Sequence, residues 1–235
     1  MSSGPRGETV VVIPVLNEEA SIGKVLADIP RAGILEVIVV DNGSDDRTAE
    51  VAARAGATVL AEPRRGYGRA CMTGIARAVE RRAEIVAFLD GDYSDYPEDL
   101  VEVLRPVREG ECELVIGSRV LGERQPGAML PQGLFGNWLA TRLIRLFWGV
   151  RFTDLGPMRA IRTEALKRLA MREPAYGWTV EMQIKAARAG LRSREVPVRY
   201  RRRIGQSKVT GTLSGTVKAG TRILFVIVRS FFSRS

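Results

Sequence analysis

Two aspartates one residue apart, Asp90 and Asp92, stand where the apolar run EIVAFLD ends, in the stretch FLDGDYSD. A third, Asp95, follows. Carboxylates crowded at one point repel unless a cation lies between them. A hard divalent ion with oxygen ligands is the simplest solution, and Mg2+ takes one or two carboxylates and completes its shell with substrate phosphates and water. Gly91 lets the chain turn tightly, so that the flanking acids face one side. The competing reading, in which Asp and Ser only cap the turn before Pro97, needs fewer acids than this stretch carries. It is kept for Asp95, which is assigned to the turn into the next helix. An EF-hand loop is excluded, because its sixth position is Asp95 rather than Gly and its twelfth is Val101 rather than Glu.

Other chemistries are removed by what the chain lacks. Its 235 residues include no histidine, which excludes His-ligated zinc, Ser-His-Asp catalysis and histidine bases. Cys71 and Cys112 make no disulfide framework and fit a reducing compartment. The polar start MSSGPRGET has no apolar core of a signal peptide. GYGRAC, 66–71, is not G-x-G-x-x-G, and no Walker A sequence exists, so a nucleotide must be held through a metal rather than a glycine loop.

The elements that must position these acids alternate. Apolar, β-branched runs at 9–15, 35–40, 57–61, 84–90 and 112–118 are separated by helical patterns at 19–29, 45–55, 68–82 and 98–109. Continuous apolar strands are buried on both faces, and their alternation with helices predicts a mostly parallel α/β sheet, Rossmann-like, with helices on both faces. In such a sheet ligands gather beyond the carboxyl ends of the strands. Asn17 and Glu18, Asp41, and Asp90 with Asp92 each follow one. Beyond residue 118 the rhythm changes. Helices are predicted at 132–148, 178–190 and 212–232, with short strands at 152–154, 158–162 and 194–200.

Charge divides along the same line. Residues 1–118 carry 13 Lys and Arg against 21 Asp and Glu, a balance of −8; residues 119–235 carry 23 against 6, a balance of +17. The basic half calls for an anionic partner, whether phosphates, a lipid surface or nucleic acid. The plainer alternative is an arginine-rich solvated surface.

The stretches VVIPVLNEEASI, VIVVDNGSDDRTAEVA and FLDGDYSDYPEDL, in this order and spacing, resemble the family-2 glycosyltransferases of GT-A fold. The resemblance runs to about residue 210. IGSRVLG, TDLGPMRAIR, YGWTVEMQIKAARAG and EVPVRYRRRIGQSK are most similar to the dolichyl- or polyprenyl-phosphate sugar synthase branch. The resemblance implies a single GT-A domain with a nucleotide-sugar half, 1–118, and an acceptor half, 119–235. Pro14, Asn17, Glu18, Asp41 and Gly43 would border the base and ribose. Asp90 and Asp92 would hold Mg2+ or Mn2+ on the diphosphate, with Ser94 completing the metal shell. Gly66 would allow close approach of the donor. Arg119 would meet the acceptor phosphate, and Asp154 and Glu181 would sit near the sugar and acceptor. Arg202, Arg203, Gln206, Ser207 and Lys208 would close over the diphosphate.

The expected reaction is an inverting transfer of one hexose from UDP- or GDP-hexose to a polyprenyl phosphate. A phosphate acceptor is already anionic and needs no strong base. A soluble hydroxyl acceptor, the alternative, needs one, and Asp154 or Glu181 is the candidate. Gln132 and Gly133 stand where the polyprenyl-phosphate branch often has basic residues, which leans toward that alternative. No recognised nucleic-acid module accompanies the basic half, so nucleic acid is not an expected partner. The run ILFVIV, 223–228, is too short to span a membrane. It packs in the core or in a homodimer, or lies in a membrane interface with arginines snorkelling. The expected location is the cytoplasm, with peripheral contact at the inner membrane face left open.

Overall fold

A computed structural model describes residues 8–205 and 213–233. Seven strands form one sheet in the order β3-β2-β1-β4-β6-β5-β7: β1 Thr9–Val15, β2 Ile34–Asp41, β3 Thr58–Ala61, β4 Ile85–Phe88, β5 Leu114–Ser118, β6 Arg159–Arg162 and β7 Ser193–Pro197. All pairings are parallel except those of β6, which runs against both β4 and β5. Every residue of β1 and of β4 is buried, as an uninterrupted apolar run requires when helices cover both faces.

The strand alternation sorts the core into two layers. Val10, Val12, Ile38, Val40, Val86 and Phe88 pack on one face of the sheet. Against them lie α3 Tyr67–Glu80, α5 Pro131–Trp148, α7 Trp178–Arg188 and α8 Leu213–Phe232. Val11, Ile13, Val37, Val39, Ile85 and Ala87 face the other layer. That layer contains α1 Ile22–Asp28, α2 Thr48–Arg54 and α4 Leu100–Arg108. The GT-A architecture expected from the sequence is therefore present, and its sheet draws β6 and β7 from the second half of the chain.

Two expectations differ locally. No strand forms at 152–154; the Thr153 and Asp154 N–H groups instead donate to the Glu195 carboxylate, which satisfies that backbone without a ladder. Residues 163–169 form an unexpected short helix, α6 Thr163–Leu169, which buries Ala165, Leu166 and Leu169. Among the described side chains of helix α8, Ala219, Val226 and Ile227 are buried, while Val217, Leu224, Phe225, Val228, Phe231 and Phe232 are exposed. No helix among the described residues is long and apolar enough to cross a membrane.

Candidate active site

Strand order reverses beside β1, whose neighbours β2 and β4 lead to opposite edges of the sheet. A crevice opens at such a switch point, beyond the carboxyl ends of the strands. Here it is a cavity of about 440 Å³. Pro14 and Glu18 after β1, Asp90 and Asp92 after β4, and Gly66 and Tyr67 at the start of α3 all line it. Arg119, Tyr200 and Arg203 line it from the second half of the chain. The two halves, opposite in charge, meet across this space.

The two aspartates are held differently. Asp90 accepts a hydrogen bond from the Tyr67 hydroxyl at 3.1 Å. Burial, and then the neighbouring Asp92 charge, pushes its carboxyl up to about 6. Asp92 is 6% exposed and fully engaged. One oxygen accepts from the Ser94 N–H at 2.9 Å and its hydroxyl at 2.5 Å; the other pairs with Arg203 at 2.9 Å. Arg203 also reaches Glu18 at 3.4 Å, tying the end of β1 to the acidic pair. Among the described residues no three acidic or cysteine side chains gather as a protein-only metal centre. A cation here would need substrate phosphate and water in its shell, the habit of Mg2+ and Mn2+ at phosphates. The donor set fits such an ion. Both carboxylates are hard oxygen ligands, that of Asp90 is raised by burial and then by its neighbour, and a guanidinium already answers their charge.

Gly91 lies in a turn, as expected, but glycine is required there by packing rather than by backbone freedom. A Cβ there would stand 2.5 Å from Val15, and the left-handed residue of the stretch is Tyr93, at φ 62°. Tyr93 tolerates that conformation because Arg201 stacks 3.3 Å from its ring centroid and donates to its carbonyl, while its hydroxyl donates to Asp28. The segment 200–204 lies across the stretch: Tyr200 bridges Asp95, the Arg201 N–H donates to the Ser94 carbonyl, and the Ile204 N–H to that of Asp92.

That cover corrects the reading of Asp95. Neither of its oxygens has a hydrogen-bond partner, and the residue is 1% exposed, so it caps no turn. Burial, reinforced by Asp90, pushes its carboxyl well above the usual range, with Arg119 opposing. Asp154 is just as deep, at 0% exposure, and has the opposite character. Burial alone would raise it. The Arg119 guanidinium outweighs that through two bonds of 2.8 Å, joined by the Arg119 N–H at 2.8 Å, and holds the carboxyl below its ordinary value. Asp154 thus aims Arg119, which also lies 5.0 Å from the Tyr200 ring centroid.

Other expected residues are placed elsewhere. Asp41 and Gly43 belong to a turn at the rim, where Asp41 accepts from the N–H and hydroxyl of Ser44. Exposed Asn17, at φ 52°, pairs with Ser44 and Asp45 of that turn. None of the three lines the cavity. Ser94 spends its hydroxyl bracing Asp92. Arg202 turns to the Pro126 carbonyl and the Gln125 side chain and does not line the cavity. Glu181 lies in a different cavity, where it accepts from the N–H groups of Arg172 and Glu173 and pairs with Lys185. It therefore orders the 172–174 loop and does not line the cavity that holds Asp90 and Asp92. Gln206, Ser207 and Lys208 lie outside the described residues.

Two residues, Asn42 and Arg159, carried no signal of their own in the sequence. Asn42 donates to the carbonyls of Glu62 and Arg64 and accepts from the Gly66 N–H, fixing the loop before α3. Gly66 is required there: its φ is 149°, and a Cβ would stand 2.2 Å from the Pro174 carbonyl oxygen. Arg159 on β6 is fully buried and bonded only to carbonyls, those of Leu155, Gly156 and Thr179, and burial lowers it to about 10.

Comparison with known proteins agrees with this geometry. An uncharacterized glycosyltransferase of Mycobacterium tuberculosis is 40% identical over 217 residues, 89% of this chain and 93% of that protein. A dolichyl-phosphate hexose transferase of Haloferax volcanii is 35% identical, covering 86% of each chain. Glucosyl-3-phosphoglycerate synthase of Mycobacterium tuberculosis, solved with Mn2+, UDP-glucose and phosphoglyceric acid, superposes with a TM-score of 0.77. That match has 25% identity and covers 97% of this chain and 80% of that one. The sequence model of glycosyl transferase family 2 matches residues 10–170, and the chain belongs to that family.

Proposed function

We propose that this glycosyltransferase moves one hexose, with inversion, from UDP- or GDP-hexose to a polyprenyl phosphate at a membrane surface. The observation that carries the reading is the make-up of the cavity. One side offers Asp90, Asp92, Arg203 and Arg119; the other is apolar, with Met129, Leu130, Leu155 and Ile223. Leu130 is also 39% exposed, and the adjoining turns of α5 expose Phe135 and Trp138. A phosphate carrying a long apolar chain matches both sides and the way out.

Asp90 and Asp92 would hold Mg2+ or Mn2+, which when bound supplies Lewis-acid neutralisation of the leaving diphosphate. The solved relative with Mn2+ and UDP-glucose supports this assignment. The chain's own residues do the rest. Arg203, poised over Asp92, adds positive charge where the diphosphate leaves. Arg119, aimed by Asp154, meets the acceptor phosphate. The first half of the chain binds the donor and the second the acceptor. The dolichyl-phosphate activity named for the Haloferax relative supports a lipid acceptor. A hydroxyl acceptor would need a base, yet Asp154 is spent on Arg119 and Glu181 faces another cavity. The exposed apolar residues of α5 and α8, interleaved with arginines, would rest on the membrane without crossing it.

The test is product partition. The protein is incubated with labelled UDP- or GDP-hexoses, Mn2+ or Mg2+, and either a polyprenyl phosphate in detergent or water-soluble alcohols. Label entering the lipid-extractable fraction only with the lipid phosphate is the expected result. Transfer to soluble alcohols alone would overturn the lipid reading.

A further inference from the structure

A second cavity, of about 620 Å³, lies between α6, α7 and α8 and shares no lining residue with the first. Helix α8 separates the two: Ala219 and Ile223 face the catalytic cavity, while Arg222, Val226 and Arg229 face the second. Six cations line this second space: Arg168, Arg172, Lys185, Arg188, Arg222 and Arg229. Only two carboxylates join them, and both are consumed. Glu173 takes both bonds of Arg222, at 2.7 and 2.9 Å, and Glu181 pairs with Lys185 at 2.9 Å. Arg168 is answered from outside by Glu113.

Three guanidinium groups remain without a carboxylate. Arg188 donates only to the carbonyls of Ser230 and Ser233 at the end of α8. The side chains of Arg172 and Arg229 bond to no described residue. Cations gathered around a concave space repel one another unless an anion is bound, and guanidinium forks match phosphate oxygens in pairs. The cavity is larger than an inorganic ion needs and falls in the range of small-ligand sites. Leu169 and Val226 give it an apolar patch.

We infer that this cavity is a second, non-catalytic anion site, built for a phosphate ester with a small organic group. The ester is either a soluble phosphorylated metabolite or the phosphoglycerol head of a membrane lipid. Arg172, Arg188 and Arg229 bind the phosphate; the Glu173–Arg222 and Glu181–Lys185 pairs hold the walls.

The test is equilibrium dialysis with labelled glycerol 3-phosphate, which carries the chemistry common to both sources and needs no turnover. Wild type is compared with Arg172→Gln/Arg229→Gln and with Arg203→Gln, whose altered residue belongs to the catalytic cavity. Both residues of the double variant are exposed and unpaired, so its Tm is expected to hold; Arg229→Glu alone provides a second variant. Saturable binding of wild type and Arg203→Gln, weakened at least about tenfold in the double variant and in Arg229→Glu, is expected for loss of charge-assisted phosphate bonds. Flotation with phosphatidylglycerol and phosphatidylcholine vesicles separates the sources. Recovery on phosphatidylglycerol that is lost in the double variant assigns the lipid head; equal recovery on both vesicles, with the dialysis result intact, assigns the soluble ester. Absence of saturable binding, binding unchanged in the double variant, or binding lost in Arg203→Gln would each overturn the inference.

Discussion

Asp95 and Asp154 lie at the same depth beside the same arginine and behave in opposite ways. Asp154, on the basic side of the cavity, has both oxygens on Arg119 and is held ionised. Asp95, next to the acidic floor but not lining the cavity, has no partner for either oxygen and is pushed toward its neutral form. Burial is common to both, so the partner decides. The wall of this site is built from a completed ion pair, which gives rigidity. On the acidic floor a single guanidinium, that of Arg203, pairs with Asp92 and also reaches Glu18, while Asp90 has only the Tyr67 hydroxyl, which gives the floor an appetite for a cation.

The sharpest way to break that contrast is Asp154→Asn. It leaves Arg119 buried without its counter-charge and is expected to lower stability by about 3–5 kcal/mol, read by denaturant unfolding. A loss under about 1 kcal/mol, the scale of an exposed pair, would mean that the wall is not held by this bond. On the floor, Asp92→Asn is expected to lower kcat by about 10²–10³-fold while the fold survives, because it removes stabilisation of the leaving diphosphate. Steady-state rates across a metal titration check this. A variant restored to wild-type rate by extra metal would have lost affinity alone. Arg203→Gln is milder, with a KM for the donor raised about tenfold through one lost charge-assisted contact.

The smallest effect concerns pH. The Asp90 carboxyl is raised from 3.8 to about 6, and Asp95 is raised as well. The metal-free folded state therefore binds these protons more tightly than the unfolded chain. Its stability should rise as pH falls from 7 toward 4, so far as these two groups are concerned. Asp95→Asn should flatten that rise. Mn2+ should reverse it, since the ion needs the ionised carboxylates and is released as pH drops through 6. Tm measured against pH, with and without Mn2+, reads both; identical slopes for wild type and Asp95→Asn would mean that Asp95 takes no part in it.

The same contrast explains what the sequence made legible. The strands were, because β1 and β4 are apolar throughout and buried on both faces. Asp90 and Asp92 were, because a strand end in a parallel sheet has one place to point. Asp95 reads as a turn residue in the sequence because its cover, Tyr200 and Arg201, comes from far along the chain and leaves no local mark. The resemblance implies a place for Glu181 near the sugar and acceptor, but α7 directs it to the 172–174 loop in a separate cavity, a choice made by tertiary packing. The absent strand at 152–154 has the same origin, since Glu195 satisfies that backbone from β7.

The proposed transfer requires that Asp90, Asp92 and Arg203 together hold one nucleotide-sugar diphosphate. Thermal-shift titration with UDP-, GDP- and TDP-hexoses, each with and without Mn2+, tests it most directly, since a ligand bound to the folded state alone raises Tm. The account predicts that UDP- or GDP-hexose raises Tm, that the rise needs the metal, and that Asp92→Asn abolishes it. A rise that ignores both the metal and Asp92, or no rise with any donor, would contradict it.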